Sequence, residues 1–154
     1  MTSHFTEAIA AFPMFEGYTS YGLDVLLQRG TIAELAAEEA LFKQGDAADF
    51  VALVISGKVD LYVTGEGGEH ALPSAGPSRL LGELAVLAGA SRVTSARAAE
   101  PTVVLEWNAD AFRRLLANDA ELSQRMFRET FRSIVEERQS LVSALAALRN
   151  PGGS

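Results

Sequence analysis

A chain of 154 residues, 48% of them hydrophobic, is long enough for one domain with a proper core, and nothing in it suggests a second globular unit. Its 13 basic residues face 20 acidic ones, a net charge of −7, which excludes the basic footprint of a nucleic-acid binder and disfavours anionic membrane surfaces. There is no cysteine, no signal-peptide pattern and no apolar run of spanning length, so thiol chemistry is excluded and a cytoplasmic location is expected.

Residues 2–12 read as a short amphipathic helix, with Phe5, Ile9 and Phe12 at helical spacing and Pro13 as its stop. Residues 18–27, with Leu23, Leu26 and Leu27 apolar, predict a second helical stretch that Gly30 can terminate. From Thr31 the pattern changes to short strands separated by turns. Residues 32–35 are the first candidate, 36–40 favour a helix by propensity alone, and 41–46 read as a strand running into a turn. Residues 50–56 are strongly apolar, Gly57 breaks them, and 58–63 alternate cleanly. The glycines of 65–68 suit a hairpin turn, 69–72 begin the return strand, and 73–79 read as loop. Two further strands, 95–98 and 102–107, bring the total to seven or eight, compatible with a jelly-roll-type double sheet.

Asn108 reads as a helix N-cap, with Asp110 in the first turn and Phe112, Leu115 and Leu116 as the apolar face. A longer helix over 120–149 carries Leu122, Met126, Phe127, Phe131, Ile134, Val135, Leu141, Leu145 and Leu148, spaced largely by three or four, which predicts one apolar face. Leu141, Leu145 and Leu148 lie beyond what a compact barrel covers, so an intermolecular helix pair would bury them; the alternative is a helix folded back on its own barrel. The organisation expected is a single domain over 1–150, with a helical lead-in (1–30), a β-barrel (31–107), C-terminal helices (108–149) and a mobile tail (150–154).

The chemistry concentrates in residues 81–96, where Gly82, Glu83 and Arg92 stand in an otherwise small, apolar segment. A helical turn starting near Glu83 leaves free backbone N–H groups at its positive end, a ready anion site. Gly82 allows close approach to the backbone, and Arg92 offers a planar fork suited to a phosphate. Glu83 must face hydroxyl donors such as those of a ribose, and a cyclic nucleotide carries both groups on one rigid body.

Gly82-Glu83-Leu84-Ala85, a short apolar run, then Arg92 and a strand resemble the phosphate-binding cassette of the cyclic-nucleotide-binding domain family. That family includes catabolite-activator-type regulators, protein kinase A regulatory subunits and cyclic-nucleotide-gated channels. Phe42-Lys43-Gln44-Gly45-Asp46 followed by Ile55-Ser56-Gly57-Lys58-Val59 resembles its other signature, in which two glycines shape barrel turns. The resemblance covers nearly the whole chain. It implies a mainly β fold with flanking helices: a double-stranded β-helix (jelly-roll) barrel with its cassette at 81–95, an N-terminal helical lead-in and a long C-terminal helix.

The resemblance also implies a site. Arg92 pairs with an equatorial phosphate oxygen, joined by backbone N–H groups near Leu84 and Ala85; Glu83 accepts from the ribose 2′-OH, and Gly82 permits the approach. Val93 lacks the hydroxyl that usually favours guanine, so cAMP is expected over cGMP, with Thr94 a partial substitute donor. Glu136 and Glu137 fall near the base contact that the last helix often makes. Four departures stand out: Ser91 where proline is frequent, Val93 where Ala, Ser or Thr is frequent, Ser78-Arg79 where Gly-Asp is common, and Glu38 where glycine is frequent.

The function implied is a non-catalytic sensor, with a cyclic nucleotide as ligand rather than a cofactor, a homodimer through the C-terminal helix and an unidentified protein effector. Direct DNA binding is not expected, because no room for a helix-turn-helix is left before Ser154. Two alternatives stay open: Glu83 and Arg92 pairing with each other, and a ligand-free scaffold acting as a dimerisation and protein-interaction module. Catalysis and metal binding are not expected. Cupin-like barrels need several inward ligands and only His4 and His70 exist, and no nucleophile elbow or Walker loop is present.

Overall fold

The computed structural model describes residues 2–149. The lead-in comprises α1 (Thr2–Ala10), a 3₁₀ turn (Pro13–Phe15) and α2 (Ser20–Gln28). Eight strands follow: β1 (Thr31–Leu35), β2 (Ala40–Phe42), β3 (Phe50–Ser56), β4 (Val59–Gly65), β5 (Gly68–Ala71), β6 (Leu80–Leu81), β7 (Ser95–Ala98) and β8 (Thr102–Asn108). Helix α3 (Glu83–Ala88) interrupts them, and α4 (Ala109–Asn118) and α5 (Ala120–Arg149) close the chain. The expected tail lies outside the described residues.

The strands form two antiparallel four-stranded sheets, ordered β1-β8-β3-β6 and β2-β7-β4-β5. They pack face to face as a jelly-roll sandwich and do not close into the expected barrel. Strand β3 reads as an unbroken apolar run because both of its faces are covered. Val51, Leu53 and Ile55 pack towards the helices with Ile9, Leu26, Trp107, Phe112 and Met126, whereas Ala52 and Val54 face the other sheet with Leu61, Ala96 and Val104. Strand β4 alternates because only Val59 and Leu61 point inward. The buried Trp107 indole donates to the Leu26 carbonyl at 2.8 Å, tying β8 to the lead-in.

The residues read as helix-prone at 36–40 instead make a turn into β2. Glu38 takes a left-handed φ of 73° and the Glu39 carboxylate accepts from the Ala36 amide, so turn chemistry overrides alanine propensity. Strand β6, only two residues long, was not legible beside the loop before it. Gly57 turns at φ 93°, and a Cβ there would sit 2.6 Å from the Pro101 carbonyl oxygen, so its glycine is a steric requirement. Asn108 caps α4 as expected, accepting from the Ala111 amide at 2.8 Å.

Candidate functional site

Helix α3 starts immediately after β6, where Gly82 turns the chain at φ 80°. Its six residues carry Glu83 in the first turn, and Gly89 at φ 65° ends it. The returning loop brings Arg92 back beneath Gly82, and a Cβ on Gly82 would lie 2.2 Å from the Arg92 guanidinium. The glycine is therefore needed for the arginine's own approach, in addition to any ligand's.

Glu83 and Arg92 line one cavity of about 100 Å³, together with Gly82, Leu84, Ala85, Val93 and Thr94. The side chains do not face opposite sides of the sandwich, and no ion pair joins them among the described residues. Both are buried, Glu83 to 6% exposure and Arg92 to 3%. Burial pushes the Glu83 carboxyl above the ordinary carboxylate range and the nearby Glu137 charge adds to this; its own backbone amide, the Thr130 hydroxyl and Arg79 act against it. Burial likewise lowers Arg92 from its usual value, opposed by Asp49, Asp46 and Glu83.

Arg92 is held from several directions. Its guanidinium donates to the Gly82 carbonyl at 2.9 Å and the Phe50 carbonyl at 2.6 Å, and lies 4.3 Å and 4.8 Å from the Phe42 and Phe50 ring centres. Its buried Nε has no partner. The arginine is desolvated, charged and incompletely satisfied, which is how a protein keeps a cation ready for an anion.

Helix α5 roofs the cavity with Thr130, Ser133, Ile134 and Glu137. Of the two glutamates singled out near the base, Glu137 lines the cavity; Glu136 does not, and stands 4.0 Å from Arg79 in an ion pair. Arg79 also borders the cavity, so a guanidinium occupies the position where the family's Gly-Asp pair would place a carboxylate. Ser78 beside it has φ 79°, and Glu38 has φ 73°: both departures from glycine sit in left-handed backbone. Thr130 and Ser133 escaped the sequence reading because hydroxyls on a long helix resemble a solvated face. A signal did exist, since Leu122, Met126, Thr130, Ser133 and Glu137 continue one stripe at steps of three and four.

A family model described as the cyclic nucleotide-binding domain matches residues 32–119. The chain belongs to the cyclic nucleotide-binding domain family. It is 31% identical to a cAMP-dependent protein kinase regulatory subunit of Aspergillus fumigatus, over 86% of this chain and 35% of that protein. It is 24% identical to a CRP-like cAMP-activated global transcriptional regulator of Mycobacterium tuberculosis, over 90% of this chain and 62% of that one. The catabolite activator protein of Thermus thermophilus superposes with a TM-score of 0.74 at 28% identity, covering 86% of this chain and 62% of that structure. The chain thus spans about a third of the length of the kinase subunit and 62% of the regulator. No helix among the described residues is long and apolar enough to cross a membrane.

Proposed function

We propose that this chain is a non-catalytic cAMP sensor in which α5 is the moving part. The observation that carries the reading is the convergence of Glu83 and Arg92 on one cavity beneath that helix. Arg92 takes an equatorial phosphate oxygen with the amides near Leu84 and Ala85, Glu83 accepts from the ribose 2′-OH, and Gly82 leaves room. Val93 and Thr94 border the phosphate, and Glu137, Thr130 and Ser133 face the base from α5. Relatives that are cAMP-dependent by name support adenine over guanine, as does the missing hydroxyl at Val93.

A cavity of about 100 Å³ is below the ~300 Å³ at which small-molecule pockets usually begin, so a nucleotide enters only if the roof shifts. Arg92 must then exchange its carbonyl partners for phosphate. Ile134 couples this movement to assembly: it lines the cavity and also belongs to a stripe, Phe127, Phe131, Ile134, Leu141, Leu145 and Leu148, whose steps of four and three are broken only by Arg138. That heptad pattern on an exposed helix fits a second copy of the chain, giving a homodimer whose helix pair transmits the signal to a protein effector.

A ligand-free module is the second reading, favoured by the two carbonyls that already accept from the Arg92 guanidinium and by the small cavity. Thermal unfolding with cAMP, cGMP and cyclic dinucleotides separates the two, since a ligand of the native state raises the midpoint by mass action. The sensor reading expects the largest rise with cAMP. No rise with any of them at about millimolar concentration, far above a sensor's dissociation constant, supports the module.

A further inference from the structure

A second cleft, of about 430 Å³, lies between α2, α4 and the first turn of α5, and shares no residue with the cassette cavity. Its floor is apolar: Leu26, Leu115 and Leu122 belong to the buried core, yet each borders the cleft. At its mouth stand the exposed Arg29 and Arg114. Neither side chain makes a hydrogen bond, ion pair or ring contact among the described residues, whereas the neighbouring Arg113 is held by Asp110 and the Val86 carbonyl. The cleft's carboxylate, Asp119, is already engaged. It accepts from the Tyr18 hydroxyl and, at 3.0 Å, from the Leu122 amide, and forms no ion pair with either arginine.

The Tyr18 ring helps to shape this cleft. It lies against α2 where Gly22 has no side chain, and a Cβ there would meet the ring at 2.5 Å. The volume falls within the range of small-molecule sites, and an apolar floor with a cationic rim selects a particular chemistry. A hydrocarbon body fills the floor while a planar anionic head meets a guanidinium fork.

We infer that this cleft binds a small amphipathic carboxylate, its apolar body on Leu26, Leu115 and Leu122 and its head facing Arg114 and Arg29. The site stands at the α4–α5 junction, since Asp119 is the residue between those helices and Leu122 lies in the first turn of α5. An occupant there bears on the root of the helix that roofs the cassette. The inference does not depend on the nucleotide reading.

The test is a titration of the whole chain with octanoate, followed by calorimetry and by emission of Trp107, the single tryptophan, whose indole is bonded to the Leu26 carbonyl in the cleft floor. Saturable binding is expected, and the neutral isostere octanamide should bind about tenfold more weakly, as should octanoate to Arg114→Gln. Arg29→Gln should cost less, about threefold, because Arg29 also borders a shallower depression holding Asp49 and Glu106. Both arginines are exposed, so these variants keep their fold. Equal binding of octanoate and octanamide, an Arg114→Gln titration identical to wild type, or no saturable response up to about 10 mM would each overturn the inference.

Discussion

The two halves of α5 draw on similar residues and end in different surroundings. In the first half, Leu122 and Met126 sink into the core, Glu129, Thr130 and Ser133 are buried behind them, and Arg125 donates to the Met14 and Glu16 carbonyls. After Ser133 every described residue is exposed, Leu148 to 75%, although Leu141, Val142 and Leu145 are as apolar as anything in the core. Propensity and periodicity are alike in the two halves; only the available surface differs. The sandwich stabilises the first half, while the exposed apolar side chains of the second are those that the proposed helix pair would cover.

That contrast is broken or sharpened most strongly by paired truncations. Met126→Ala should cost about 3 kcal/mol of unfolding free energy, the scale for a buried methionine, while Leu145→Ala should cost the isolated chain less than about 0.5 kcal/mol. Denaturant unfolding at low protein concentration reads both. In sedimentation, Leu141→Ser with Leu145→Ser should convert a dimer to a monomer; a wild-type chain that sediments as a monomer would contradict the proposed helix pair.

A smaller effect is expected where the roof meets the cassette. Glu83 has a raised folded value, so the unfolded chain ionises first as pH rises and the native state loses stability from the ordinary carboxylate range up to the folded value. Glu83→Gln removes that cost. The variant should be more stable than wild type at pH 8, with the gap closing below the ordinary carboxylate range, and it should bind cAMP more weakly. Melting curves at the two pH values check the sign, and a gap that widens on acidification would contradict the burial argument. Ser78→Gly, which relieves left-handed backbone next to Arg79, should stabilise the chain by about 1 kcal/mol in the same melts.

Much of this was legible in the sequence because it rests on local rules. Asn108 as a cap, Gly57 as a turn and the 120–149 helix follow from capping, steric and periodic constraints within a few residues. The cassette was legible as order and spacing, and the structure brings Gly82, Glu83, Leu84, Ala85, Arg92, Val93 and Thr94 to one cavity. What the sequence withheld depends on distant partners. Nothing near Arg92 in the chain announces that Phe42 and Phe50 flank its guanidinium, and Thr130 and Ser133 gain their place only once α5 is docked. The double sheet was legible in the strand spacing, whereas its failure to close into a barrel was not, since short strands read alike whether or not their sheets close.

The most direct measurement is calorimetric titration of cAMP into wild type and Arg92→Ala. Saturable binding to wild type is predicted, weakened in the variant by on the order of 3 kcal/mol, the upper range for hydrogen bonds to a charged group. Equal affinity of the two proteins for cAMP would contradict the claim that the Glu83–Arg92 cavity is the nucleotide site.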